Sequence, residues 1–261
     1  MGKICSPKEI NKNSQNFYYE EILTPLLVNL DESKGNMILL TTGSFNPIHR
    51  MHLEILNIAY KHLSSFNEYN IICGFISPSA DCYVRTKPPP LIPFEKRCEM
   101  IQTAIDDFNQ ENKDKKNEII KIYIHKWEGS HNYFIDFPDV INVIQQQLNK
   151  IKIKIKKKIT LLYVCGMDHY IKCINALKKN VVIIDRKPFK KEYIPQNNPE
   201  KMIFFFRDEN SEEYSSTSIK EYYKKQDLES IKKSTFENVA KIIVEFYDEY
   251  YKKNEINSNF I

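Results

Sequence analysis

Met37-Ile38-Leu39-Leu40-Thr41-Thr42 runs directly into Gly43-Ser44-Phe45-Asn46-Pro47-Ile48-His49-Arg50-Met51-His52, and a helical pattern follows with Leu53, Leu56, Ala59 and Leu63 in register. An apolar strand that turns tightly into a helix predicts an anion site. The first amides of a helix lack partners within it, and its dipole favours negative charge at that end. Gly43 is read as the residue that lets the backbone turn and approach the anion. His49 and His52, placed i, i+3 in the first turn, project on one side of the helix. Residues 43–52 therefore point to chemistry at a phosphate.

Outward from that stretch the pattern alternates. Strands are predicted at 37–42, 70–76, 119–124, 159–165, 180–185 and 202–206, with helices near 49–63, 94–108, 136–149 and 168–178. Continuous apolar strands alternating with amphipathic helices describe an α/β protein whose parallel sheet is covered on both faces. Such a sheet binds ligands at the carboxyl ends of its strands. After residue 211 the pattern is helical only, at 215–225 and 235–252, so three parts are expected: an N-terminal extension at 1–35, the sheet domain at 36–210, and a small C-terminal helical subdomain at 211–261. In the extension, the apolar face from Phe17 to Leu30 is interrupted by Pro25. No internal repeat is visible.

Composition narrows the classes. The 261 residues suffice for one large domain with appendages, and the 38 basic and 34 acidic residues leave a net charge of +4. That balance gives no field strong enough to indicate nucleic acid, while a mildly positive surface suits anionic small molecules. Six cysteines, at 5, 73, 82, 98, 165 and 173, include no CxxC pair, and no secretory segment precedes them. Reduced thiols in a cytoplasmic or nuclear protein without zinc are expected. No apolar run approaches the roughly 20 residues that cross a bilayer, so a soluble protein is expected. Met1-Gly2-Lys3-Ile4-Cys5-Ser6 fits the loose N-myristoylation pattern, although a disordered start is the plainer reading. Lys150 to Lys158, mostly alternating Ile and Lys, is read as the solvated lead-in to the strand at 159 rather than a nuclear-localisation patch. The six glycines are few, and the interior ones are expected where no other residue fits the backbone.

Neither a Gly-x-Gly-x-x-Gly fingerprint nor the Gly-Lys-Ser/Thr of a P-loop follows the first strand, so dehydrogenase and motor NTPase readings have no support. One histidine alone would be an ordinary surface or core residue. Two in the first turn after Gly43-Ser44-Phe45-Asn46-Pro47 resemble the nucleotidylyltransferase superfamily, with its His-x-x-His after a Gly-x-Phe-(Asn/Asp)-Pro turn. The match narrows further along the chain. Met51-His52-Leu53, then Ile76-Ser77-Pro78 through Asp81, Tyr83 and Leu91-Ile92-Pro93, then Trp127-Glu128, Cys165-Gly166-Met167-Asp168 and Ser215-Ser216-Thr217-Ser218-Ile219-Lys220, are similar in order to blocks of the eukaryotic nicotinamide/nicotinate mononucleotide adenylyltransferases. These blocks cover about 37–225.

The resemblance implies a Rossmann-like fold and a reaction in which the 5′-phosphate of nicotinamide or nicotinate mononucleotide attacks the α-phosphorus of ATP, giving NAD or deamido-NAD and pyrophosphate. Mg²⁺ would be carried by the triphosphate rather than by a protein carboxylate cluster. The nucleophile is already an anion, so the protein must chiefly align two anionic substrates and stabilise developing charge. By resemblance, Gly43 and Ser44 contact phosphate, Phe45 packs beside the dinucleotide, His52 stands at the α-phosphate, and His49 completes the superfamily pair at a position where many animal members carry Thr. Arg85 and Lys87 fall where the family has phosphate-facing lysines, in a loop that Pro88-Pro89-Pro90 lengthens. Gly166 and Asp168 match a ribose-holding pair, and Arg186 a basic residue at a strand end. Thr217, Ser218, Ile219 and Lys220 match an ATP-phosphate clamp, with Lys220 in place of the family Arg, which keeps the charge but loses the bidentate fork. Phe134 stands where the family usually has the Trp or Tyr that stacks on the pyridine, and Phe137 where it usually has Thr. The animal enzymes' Leu-Trp has no counterpart between Asp168 and Arg186. Catalysis is assigned to His52, His49 and Lys220, and family members commonly self-associate. The alternatives are a nucleotidylyltransferase of phosphopantetheine or phosphocholine type, or a non-catalytic, chaperone-like nucleotide-binding module on the same fold.

Overall fold

The computed structural model describes residues 19–28, 30–115, 118–151, 157–186, 195–209, 212 and 214–258. The Met1–Ser6 motif and residues 152–156 of the Ile/Lys stretch lie outside them. Among the described residues, six parallel strands form one sheet: β1 (Gly35–Gly43), β2 (Tyr69–Pro78), β3 (Ile122–Ile124), β4 (Ile159–Gly166), β5 (Val181–Arg186) and β6 (Ile203–Asp208), in the order β3-β2-β1-β4-β5-β6. This is the expected Rossmann-like α/β architecture. Alternate strand residues supply two cores. Met37, Leu39, Leu162 and Val164 face one side, while Ile38, Leu40, Leu161 and Tyr163 face the other, so the middles of β1 and β4 are apolar on both faces.

The first face is covered by α2 (Arg50–Ser65), α4 (Phe94–Glu111), α7 (Ser216–Lys224), α8 (Leu228–Ser234) and α9 (Glu237–Ser258). Ile219, Ile231, Phe236, Val239, Ile243 and Tyr247 join the same core as Leu39 and Leu56, so the C-terminal helices are built into the sheet domain's interior. The second face is covered by α1 (Tyr19–Leu27), α5 (Phe137–Leu148) and α6 (Met167–Cys173); α3 (Asp81–Val84) is a single turn after β2.

Several expectations change. Pro25 lies within α1 rather than breaking it: a proline near the end of a nine-residue helix removes little of its ladder, and buried Leu23 and Leu27 anchor the segment. The strand expected at 119–124 is only three residues long, because the Ile120 N–H turns to Asn57 Oδ1 (3.4 Å) instead of joining the ladder. The helix expected at 168–178 ends at Cys173. The helix expected at 235–252 starts beyond Thr235, whose ψ of −135° is non-helical and whose hydroxyl donates to the buried Ile48 carbonyl (3.3 Å).

Candidate active site

Strand order reverses between β1 and β4, which are neighbours, and the segments leaving their carboxyl ends diverge there. A ligand crevice forms at such a point. The turn after β1 owes its shape to an aromatic residue. Phe45, buried, adopts φ 44°, whereas no described glycine has positive φ. Gly43 is thus not the flexible point that its sequence position suggested. A Cβ there would press on the Phe45 ring at 3.3 Å, so its smallness makes room for that ring. Packing also accounts for Gly74, where a Cβ would come 3.2 Å from Ile120 and Leu56, and for Gly129. At Gly129 a Cβ would fall 1.9 Å from Phe94 Cε2 and 2.6 Å from the Pro78 carbonyl oxygen.

His49 caps α2 and His52 lies in its first turn; their rings stack with centroids 3.6 Å apart, and the edge of the Phe45–His52 pair closes at 4.7 Å. His52 Nδ1 accepts the His49 backbone N–H at 3.1 Å. In the neutral ring the proton therefore sits on Nε2, which is left as a donor. Burial, then the charge of Arg186, lowers His52 to about 3. Burial, then His52 and Arg186, holds His49 well below the usual imidazole value, and its buried Nδ1 has no hydrogen-bond partner among the described residues. Two neutral imidazoles thus share one cationic neighbour, which does not force them to protonate.

From the other side of the reversal come Gly166, at the N-cap of α6, and Asp168, exposed in its first turn. A Cβ at Gly166 would lie 2.9 Å from Asp168 Oδ1 and 3.8 Å from an Arg186 Nη atom, so these three lie together. The structure therefore gathers Gly43, Phe45, His49, His52, Gly166, Asp168 and Arg186 at the ends of β1, β4 and β5.

The remaining expected residues are placed differently. Ser215 caps α7, its hydroxyl accepting the Ser218 N–H (3.0 Å), and the Ser216 hydroxyl donates to the Pro47 carbonyl (2.7 Å), which brings this helix start to the β1 turn. Thr217 is exposed there, while Ile219 is buried in the core. Lys220 departs from the expected triphosphate clamp. Its buried ammonium donates to the carbonyls of Pro88 (2.5 Å) and Pro90 (3.2 Å), fastening α7 to the triproline loop, and burial lowers it to about 8. Arg85 is exposed, and Lys87 lies over the Tyr83 ring (4.6 Å) with Nζ 3.2 Å from its hydroxyl. Phe134, 48% exposed, stacks on Tyr83 at 4.8 Å. The Phe137 ring is instead a core residue, stacked on Tyr163 at 5.0 Å, because α5 begins with its apolar face turned to the sheet.

Two buried polar residues were not singled out as site residues. Glu128 accepts the Ser77 hydroxyl at 2.7 Å and is raised to about 7, chiefly by burial. Arg97, in α4, is fully buried and donates to the carbonyls of Ile92, Ser44 and Ser79 and to Asp81. Only its i, i+4 place on the buried face of α4, between Phe94 and Ile101, marks it in the sequence.

Residues 40–222 match the family model described as cytidylyltransferase-like. The chain belongs to this family. Among curated relatives, this cytidylyltransferase-like chain is 40% identical over 53 residues to nicotinamide/nicotinic acid mononucleotide adenylyltransferase 1 of Bos taurus, covering 20% of this chain and 19% of that one. It is 26% identical over 139 residues to the Arabidopsis thaliana nicotinamide/nicotinic acid mononucleotide adenylyltransferase, covering 52% and 51%. The chain thus spans about half or less of the length of these relatives. Its fold is shared with the solved structure of Plasmodium falciparum nicotinic acid mononucleotide adenylyltransferase complexed with NaAD, at a TM-score of 0.58 and 19% identity over 81% of this chain and 96% of that one. The same enzyme complexed with APC gives a TM-score of 0.56.

Proposed function

We propose that the protein is an adenylyltransferase that joins MgATP to nicotinamide or nicotinate mononucleotide. A 5′-phosphate oxygen of the mononucleotide attacks the α-phosphorus, the bond from that phosphorus to the bridging β-phosphate oxygen breaks, and pyrophosphate leaves. The observation that carries this reading is the neutral, stacked His49–His52 pair at the point of strand reversal, with His52 Nε2–H as a fixed donor. A neutral donor suits this chemistry: it stabilises charge gathering on the α-phosphate oxygens without transferring a proton that the reaction does not require. Arg186 adds positive charge beside both rings.

Gly166 and Asp168 hold ribose hydroxyls, the carboxylate accepting them, and Ser44, Thr217 and Ser218 offer donors around the phosphates. The exposed Phe134 ring, backed by Tyr83, takes the pyridine, and Arg85 and Lys87 supply positive charge beside it. Lys220 serves as the fastening of the Pro88–Pro90 loop. Mg²⁺ arrives on the triphosphate in this reading. No helix among the described residues is long and apolar enough to cross a membrane, and the free thiols suit the cytoplasm or nucleus. Self-association belongs to the same reading.

The test is turnover of ATP or CTP with each of four acceptors: nicotinamide mononucleotide, nicotinate mononucleotide, phosphopantetheine and phosphocholine. Dinucleotide from ATP and a pyridine mononucleotide is expected, and His52→Ala should lower kcat by about 10²-fold or more while the protein stays folded. Transfer to another acceptor, no turnover with any of them, or a wild-type rate in the variant overturns the reading.

A further inference from the structure

Arg97 is a charge placed where a hydrophobic residue would pack more cheaply. It is fully buried on α4, and the carboxylate it pairs with, Asp81 at 2.9 Å, is itself substantially exposed. Desolvating a guanidinium is costly unless its hydrogen bonds are well made. Here Nε donates to the Ile92 carbonyl (3.0 Å), Nη1 to the Ser44 carbonyl (2.9 Å) and Nη2 to the Ser79 carbonyl (2.6 Å). Those acceptors belong to three separate segments: the turn after β1, the exit from β2, and the loop before α4.

The direction of these bonds matters. In a trans peptide the carbonyl and the following N–H point opposite ways. The Gly43 carbonyl accepts the Ser79 N–H at 2.9 Å, and the Ser44 carbonyl accepts from Arg97, so both are drawn toward the β2 side. The N–H groups of Ser44 and Phe45 are thereby turned the other way, as consecutive donors at the left-handed Phe45. Successive amides offered in this manner form an anion-binding concavity. The geometry points to Arg97 as a positioning residue that sets, from behind, the direction in which the Ser44–Phe45 amides meet phosphate. The identity of that phosphate, the α-phosphate of ATP, rests on the adenylyl-transfer reading.

Arg97→Lys keeps the charge near Asp81 but has one nitrogen where three carbonyls need a fork. Arg97→Ala leaves a space that free guanidinium can enter. In the folded Lys variant, kcat should fall by about 10²-fold with little change in either KM, because misdirected amides cost most as charge develops. Guanidinium chloride well below denaturing concentrations should restore turnover to Arg97→Ala, and urea should not. In the ligand-free protein, amide exchange across 43–49 should quicken in both variants while β4 and β5 hold. Wild-type kcat or unchanged exchange in a folded variant overturns the inference, as does a loss that follows global unfolding and that guanidinium leaves uncorrected. If the wild-type chain itself makes no dinucleotide, the adenylyl-transfer reading fails, and amide exchange alone decides the role of Arg97.

Discussion

Acidification should unfold this protein through its imidazoles. Burial lowers His52 and His125 each to about 3 and holds His49 well below the ordinary value. In the unfolded chain all three return to about 6.5. Because the unfolded state then binds protons more readily, this contribution to stability is complete above about pH 6.5 and is lost as pH falls toward the folded values. Glu128 acts in the opposite sense. Raised to about 7 by burial, it carries a proton in the folded state between roughly pH 4.5 and 7 that the unfolded chain has released. At about pH 5.5 the unfolded chain holds about 1.8 more protons on His52 and His125, and the folded chain about 0.9 more on Glu128. The difference of about 0.9 protons gives these three groups a slope of about 1.2 kcal/mol per pH unit. Partial solvent contact at His52 makes that slope a ceiling. Urea unfolding from about pH 7 to about pH 5 measures it, and His52→Gln should flatten it by about 1.2 kcal/mol per unit. A stability that stays level over this range, or a His52 ring titrating near 6.5 by NMR, refutes the reasoning.

Two further outcomes follow from packing. Gly129→Ala would place a methyl 1.9 Å from the Phe94 ring and against the Pro78 carbonyl. Overpacking of this kind should cost about 3 kcal/mol and lower Tm by about 6–12 °C, and Phe94→Ala in the same chain should relieve part of it; additive losses would show that the contact is not the cause. Phe134→Ala should raise KM for the mononucleotide about 10-fold with kcat and stability nearly unchanged, since the ring is half exposed and stacks on Tyr83. An unchanged KM removes Phe134 from the base pocket.

The sheet was readable because its strands are buried on both faces, so runs such as Met37–Leu40 and Val181–Ile184 are apolar without interruption. Short elements were not: α3 has four residues and α8 seven, too few for a helical period to declare itself. The candidate site divides along the same physical line. His49 and His52 are neighbours in sequence and lie in one turn, so their pairing could be seen in advance. Arg97 and Lys220 could not be placed, because all but one of the hydrogen bonds described for them, that of Arg97 to Asp81, go to main-chain carbonyls, and any residue can supply a carbonyl. Phe137 came to the site only by standing where the family usually has Thr, and the orientation of α5 that turns its ring into the core cannot be read from that position alone.

A bulky ring at a left-handed position, wedged between Gly43 and His52, has a kinetic implication for substrate capture. The bend after β1 is propped from inside by Phe45 and has no pliable glycine at its apex. On the adenylyl-transfer reading proposed above, an arriving triphosphate would meet a socket whose bend is already formed, so its binding energy need not be spent on folding the chain around it.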